Sequence, residues 1–218
     1  MIRVLLVDDQ MVVRTGFRVI LEAEGDIEVV GEAASGPEAV ALAASLSPDV
    51  VCMDVRMPGG DGIEATRSIV ATATEADAAP AVLIVTTFDL DDYVFGALEA
   101  GASGFILKDA EPDEVIAAVR RLAGGFGLVD HTVTRRVIAE FARRKSASPT
   151  GSLPDVLTDR ETEIVRLLAR GLSNAEIASE LFVETSTVKS HLGRAMTKIG
   201  TRDRLQTVVW AYQNGLAG

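Results

Sequence analysis

The stretch Val50 to Gly62, VVCMDVRMPGGDG, constrains this chain more than any other. Val50 to Met53, too short for a helix, ends in the carboxylate of Asp54 and runs straight into a Pro/Gly turn. An apolar run of that length reads as a strand buried on both faces, as in parallel sheets. Asp54 then stands at the carboxyl end of the strand, where open α/β sheets bind ligands.

Three further apolar runs end alike: Val4 to Val7 in Asp8 and Asp9, Ala81 to Val85 in Thr86 and Thr87, and Phe105 to Leu107 in Lys108. Helical spacing lies between them. It runs through Val13, Phe17, Ile20 and Leu21, then follows the Ser35-Gly36-Pro37-Glu38 start, then covers Ile63 to Val70, Tyr93 to Ala100 and Pro112 to Ala123. With Ile27 to Gly31 as another strand, the alternation predicts a doubly wound, five-stranded parallel sheet, flavodoxin-like in order 2-1-3-4-5.

In such a sheet the strand ends meet at one rim, bringing together Asp8, Asp9, Asp54, Thr86 and Lys108. Crowded carboxylates repel one another, and a hard divalent cation relieves that repulsion while taking oxygen ligands. Mg²⁺, which is usually held by one or two carboxylates and keeps several waters, fits so sparse a set. Beside it Asp54 is placed to act as an oxygen nucleophile and become an aspartyl phosphate. Lys108 would pair with a phosphoryl oxygen and the Thr86 hydroxyl would hydrogen-bond another.

These residues, with Met57-Pro58 and Asp61-Gly62 after Asp54 and the run Gly101-Ala102-Ser103-Gly104-Phe105 before Lys108, resemble a response-regulator receiver domain over residues 1–122. The resemblance implies phosphoryl transfer from a sensor histidine kinase onto Asp54. It also implies Mg²⁺ on Asp9, Asp54 and the Arg56 carbonyl, with Asp8 acting through water, and a switch pair of Thr86 and Phe105.

The net charge of −11 hides a division: residues 1–125 carry 22 acidic and 8 basic side chains, residues 126–218 carry 10 and 13. A mildly basic portion on an acidic chain points to nucleic acid. Val129 to Lys145 reads as a mostly helical connector and Ser146 to Pro154 as a flexible linker, so residues 123–153 separate the first unit from a second over 154–218. There Thr158 and Glu161 stand at capping-box spacing before a helix that Gly171 stops. A short helix, Asn174 to Leu181, and a turn at Phe182-Val183-Glu184 lead into Thr185 to Ile199, giving a helix-turn-helix. The outer face of the third helix carries Thr187, Lys189, Ser190, Gly193, Arg194, Thr197 and Lys198, with no carboxylate between Thr185 and Arg202.

Leu172-Ser173-Asn174-Ala175-Glu176-Ile177-Ala178 together with Ser186-Thr187-Val188-Lys189-Ser190-His191 resembles the LuxR-type DNA-binding domain, and the whole chain the NarL/FixJ class of two-component response regulators. That resemblance implies base-facing positions at Lys189, Ser190 and Gly193. It places Asn174, Thr187, His191, Arg194 and Lys198 near the DNA backbone or in support of the helix. Gly193 brings no side chain to read a base, which shifts weight to dimerisation or DNA shape. The last helix, Arg202 to Gln213, is expected to expose a stripe of Leu205, Val208, Val209 and Tyr212, which in related domains pairs two monomers on DNA.

The expected function is therefore a phosphorylation-switched, DNA-binding transcriptional regulator. It would dimerise when phosphorylated or DNA-bound and be no turnover enzyme beyond slow self-phosphorylation and dephosphorylation. One rival is a constitutive DNA binder whose receiver serves only to dimerise; another is an aspartate-nucleophile phosphohydrolase. Against the latter, positions 55 and 56 are Val and Arg, where a second carboxylate would be wanted. Two histidines and the lone Cys52 make no zinc pattern and allow no intrachain disulfide. No window approaches the ~20 uninterrupted apolar residues of a membrane span, and no signal peptide is apparent, so a cytoplasmic location is expected.

Overall fold

A run such as Val50 to Met53 has to be covered on both sides, and alternation along the strand sends successive residues to opposite faces. The computed structural model describes residues 1–57, 60–72, 79–87, 92–124 and 156–216. The expected connector and linker lie outside them. The chain divides into two compact units, Met1–Leu128 and Val129–Gly218.

The first unit runs β1 (Ile2–Val7), α1 (Met11–Glu22), β2 (Ile27–Ala33), α2 (Gly36–Leu46), β3 (Val50–Asp54), the two-residue strands β4 (Arg56–Met57) and β5 (Gly60–Asp61), α3 (Gly62–Ala71), β6 (Ala81–Thr86), α4 (Asp92–Glu99), β7 (Gly104–Leu107) and α5 (Pro112–Ala123). The main sheet is parallel in the order β2-β1-β3-β6-β7, which is 2-1-3-4-5 once the small β4-β5 hairpin is set aside, as expected. Val4, Leu6, Val50, Cys52, Leu83 and Val85 face a core closed by Phe17 and Leu21 of α1 and by Val115, Ile116, Val119 and Leu122 of α5. The alternate residues Leu5, Val51, Met53, Val82 and Ile84 are buried on the other side, where α2, α3 and α4 pack. Cys52 is a core thiol whose pKa burial pushes up to about 12, so it is chemically inert at neutral pH.

One glycine is required by close approach. A Cβ on Gly62, the first residue of α3, would run into the Asp54 carbonyl oxygen and sit 2.9 Å from Val55 Cα. Only glycine lets α3 begin directly under the end of β3.

Among its described residues the second unit has α6 (Asp159–Ala169), α7 (Asn174–Glu180), α8 (Thr185–Ile199) and α9 (Arg204–Gln213). Both bonds of the expected capping box are made: Glu161 N–H donates to Thr158 Oγ1 at 3.3 Å and Thr158 N–H to Glu161 Oε2 at 2.8 Å. A second box, Ser173 with Glu176, starts α7. Gly171 and Gly200 end α6 and α8 in the left-handed region, at φ +89° and +70°.

One expectation is corrected. Leu205, Val208, Val209 and Tyr212 are not an exposed stripe: they are 1%, 0%, 2% and 5% exposed, and the Tyr212 hydroxyl donates to the Ala169 carbonyl at 3.1 Å. So small a unit needs the apolar side of its last helix for its own core. Among the described residues no helix is long and apolar enough to cross a membrane.

Candidate functional sites

Parallel register decides which strand ends are neighbours. Val7 is opposite Met53, Asp54 opposite Val85, and Thr86 opposite Leu107, so the residues that follow β1 and β7 stand beside the last residues of β3 and β6. The side chains complete the convergence. Lys108 Nζ lies 2.5 Å from Asp8 Oδ2 and 2.9 Å from Asp54 Oδ2. Asp8, Asp54 and Thr86 are buried, whereas Asp9 is exposed. Oxygens of Asp8, Asp9 and Asp54 all fall within 4.8 Å of one another.

Hydrogen bonds hold this arrangement from behind. Gln10 N–H donates to Asp8 Oδ1 at 2.9 Å and Arg56 N–H to Asp54 Oδ1 at 3.3 Å, while Lys108 N–H donates to the Thr86 carbonyl at 2.7 Å. Burial raises the pKa of Asp54, an effect the Lys108 ammonium opposes. Burial also pulls Lys108 down, but the hydrogen bonds it donates to Asp8 and Asp54 outweigh that and the net shift is upward, so Lys108 stays a cation at neutral pH. Three carboxylates against one ammonium leave the charge of one divalent ion uncompensated, and oxygen donors alone suit a hard cation. The residues present therefore fit Mg²⁺. Phe105 is buried in β7 opposite Ile84.

The sequence reading missed Arg14. Its Nη1 donates to the Asp8 carbonyl at 2.7 Å and its Nε pairs with Glu32 at 2.9 Å. A lone arginine on a helix, 18 residues from its partner, gives no signal in a sequence.

In the second unit, α7, the turn at Phe182 and α8 form the expected helix-turn-helix. Phe182 takes a φ of +53° and Val183 N–H closes back on the Ala178 carbonyl at 3.0 Å. Val188, Leu192 and Ala195 anchor α8, leaving Lys189, Ser190 and Arg194 exposed and Thr187, His191 and Gly193 half-buried. Arg194 is held along the helix, its Nε on the Ser190 carbonyl and its Nη2 beside His191 Nδ1, each at 3.3 Å. A Cβ on Gly193 would meet nothing within 4 Å.

Two predicted DNA-side residues turn out to be tied within the unit. Lys198 Nζ lies 2.7 Å from Oε2 of the buried Glu161, whose pKa falls to about 2, chiefly because of that hydrogen bond. Asn174 Oδ1 accepts from Arg204 Nη1 at 3.0 Å, and Arg204 also donates to the Leu172 carbonyl. Burial lowers Arg204 to about 10, which still leaves it charged at neutral pH.

Comparison with known proteins agrees with both halves. The response regulator receiver domain matches residues 4–120, and the luxR family of bacterial regulatory proteins matches residues 155–211. The chain is 42% identical to the uncharacterized transcriptional regulatory protein YxjL of Bacillus subtilis (strain 168), over 99% of this chain and 97% of that one. It is also 42% identical to the transcriptional regulatory protein LiaR of the same strain, over 99% of both. Among solved structures, the response regulator ChrA of a heme-sensing two-component system is 37% identical over 99% of this chain and 98% of its own, with a TM-score of 0.52. An acidic rim on a 2-1-3-4-5 sheet, joined to a helix-turn-helix, is thus a known partnership. The chain belongs to the two-component response regulators, transcriptional regulators that join a receiver domain to a luxR-type DNA-binding domain.

Proposed function

We propose that Asp54 accepts the phosphoryl group and that phosphorylation controls how the second unit occupies DNA. The observation that carries this is the Lys108 ammonium bridging Asp54 and Asp8 at 2.9 and 2.5 Å, with Asp9 alongside. It is a cation placed where phosphoryl oxygens would arrive. An Asp54 carboxylate oxygen attacks phosphorus in the phosphohistidine of a sensor kinase. The O–P bond forms as the P–N bond breaks, and its electron pair returns to the imidazole nitrogen. Lys108 turns from Asp54 toward a phosphoryl oxygen while Asp8 keeps it in place, and the Thr86 hydroxyl donates to another. Asp9, Asp54 and the Arg56 carbonyl would hold Mg²⁺, with Asp8 acting through water; bound there, the ion supplies charge against the developing oxyanions.

Thr86, drawn inward, leaves space that the Phe105 ring follows, altering the receiver surface and favouring a homodimer. Two joined half-sites raise DNA occupancy by effective concentration. Lys189 and Ser190 face bases, with Gly193 between them and Arg194. Thr187, His191, Arg194 and Asn174 lie toward phosphates, and Lys198 supports the helix through Glu161. The units are residues 1–122 and 154–218, joined by 123–153, and the protein works in the cytoplasm, where kinase output and chromosome meet.

Acetyl phosphate with Mg²⁺ tests the site: wild type takes up label and Asp54→Asn does not. Label retained by Asp54→Asn would overturn the assignment. Beryllofluoride tests the switch, since equal DNA affinity with and without it would leave a constitutive binder.

A further inference from the structure

The turn carrying Asp8 and Asp9 is fastened to β2 twice. Asp8 N–H donates to the Ala33 carbonyl at 3.1 Å. One residue earlier on β2, Glu32 Oε2 takes Arg14 Nε at 2.9 Å, and Arg14 Nη1 reaches across to the Asp8 carbonyl at 2.7 Å. Arg18 holds the other Glu32 oxygen at 2.8 Å, so that carboxylate has little freedom to swing away. The Arg14 side chain is only 14% exposed. An ordinary ion pair between a helix and a strand would end at Glu32. This one continues to the main chain of the residue that opens the acidic rim. Unlike Lys108, Arg14 binds no rim carboxylate oxygen in these contacts, so it steadies the turn without competing for a cation's ligands.

We propose that Arg14 is a positioning residue of the acidic site, locking the Asp8 main chain against β2 so that Asp8 and Asp9 are presented to a divalent cation in one geometry. The inference rests on the reading of that site as a Mg²⁺ site. Groups that orient the ligands of a metal typically change its affinity 10- to 100-fold when removed.

The test is calorimetric titration of MgCl₂, with no phosphodonor, into the full chain. Wild type is compared with Arg14→Ala, Arg14→Lys, Glu32→Gln and the double variant Arg14→Ala/Glu32→Gln, with a melting temperature for each in EDTA. Arg14→Ala is expected to weaken Mg²⁺ binding about tenfold. Arg14→Lys, which can keep only one of the two contacts, and Glu32→Gln should fall between it and wild type. The double variant should be no weaker than Arg14→Ala, because both residues act through one link. Mg²⁺ affinity within twofold of wild type in Arg14→Ala, even with a lowered melting temperature, would reduce Arg14 to a structural ion pair and overturn the proposal. So would additive losses in the double variant. If Arg14→Ala does not fold, unchanged affinity in both Arg14→Lys and Glu32→Gln overturns it equally. A wild-type chain that takes no Mg²⁺ removes the metal-site reading itself, an outcome distinct from the others.

Discussion

Replacing Gly62 by alanine tests the packing that sets Asp54 in place, because two effects of opposite sign compete. Alanine is favoured over glycine in a helix by about 1 kcal/mol. At Gly62, however, the added Cβ would overlap the Asp54 carbonyl oxygen, with Val55 Cα at 2.9 Å and the Asp54 carbonyl carbon at 3.1 Å. These are main-chain atoms of the proposed phosphoacceptor segment and have no rotamer to escape into. Overpacking of this kind costs about 1–3 kcal/mol, and rigid backbone puts the cost at the upper end. The net loss is then about 2 kcal/mol, or roughly 8 °C in the melting temperature of a unit this size. Relief requires α3 to move away from β3, or Asp54 to move with its carbonyl, and displacement of a reacting group by ~1 Å costs up to ~100-fold in rate. Gly16 supplies the control: it is exposed in α1, and a Cβ there would meet nothing within 4 Å. Gly16→Ala should therefore stabilise by up to about 1 kcal/mol. Urea unfolding followed by circular dichroism gives the stabilities, and labelling by acetyl phosphate gives the rate. A Gly62→Ala protein as stable as wild type and labelled as fast, or two substitutions shifting stability in the same direction, would refute the reasoning.

Two further outcomes concern the second unit, whose Trp210 is the only tryptophan in the chain and reports on it separately. Glu161 has its pKa lowered from 4.5 to about 2, so its contribution is fully present above the ordinary carboxylate range and is lost as the pH falls through about 4.5 toward 2. Trp210 fluorescence should show a flat stability from pH 7 to about 5 and a decline below it; Lys198→Met should lower the plateau and shrink that decline, because the folded pKa of Glu161 returns toward its unfolded value, and coincident curves would deny the coupling. Arg194→Ala, which removes one phosphate contact from the proposed DNA face, should lower the slope of log K against log[salt] by about 0.9. A loss confined to certain base sequences, with the slope unchanged, would place Arg194 on base edges instead.

The parts of the molecule legible in the sequence are those where one local pattern has one physical solution. The run ending in Asp54 needed cover on both faces and received it. Thr158 and Glu161, three residues apart, could satisfy each other's backbone partners and do so. What stayed hidden depends on who the partner is. The Leu205 to Tyr212 stripe announced an apolar side of a helix but not whether that side would meet its own unit or a second copy. Lys198 could be placed only near the DNA backbone or in support of the helix, with no partner named, because Glu161, 37 residues away, looked like a cap and nothing more; it is both. Arg14 and Glu32 carry no motif, since their meeting is made by the β1-β2 pairing and not by spacing along the chain.

Lys108 shows why the proposed switch needs only a modest driving force. A buried carboxylate pair with no counterion would be costly, and in this rim the ammonium already meets that need by spanning Asp8 and Asp54. When Asp54 becomes an acyl phosphate, the charge that held Lys108 moves outward across the O–P and P–O bonds, onto phosphoryl oxygens that lie ahead of the ammonium. The cation then exchanges one anionic acceptor for another, while Asp8 keeps its hold. Lys108 thus has an anionic partner in both states, so its own ion pairing changes little between them. Only the difference between them biases the equilibrium. That difference has to come from the groups whose contacts change altogether: the Thr86 hydroxyl, which gains a phosphoryl acceptor, and the Phe105 ring, which exchanges one packing for another. On the proposed mechanism the amplitude of the switch is therefore set by Thr86 with Phe105 and not by Lys108, which is ion-paired in both states.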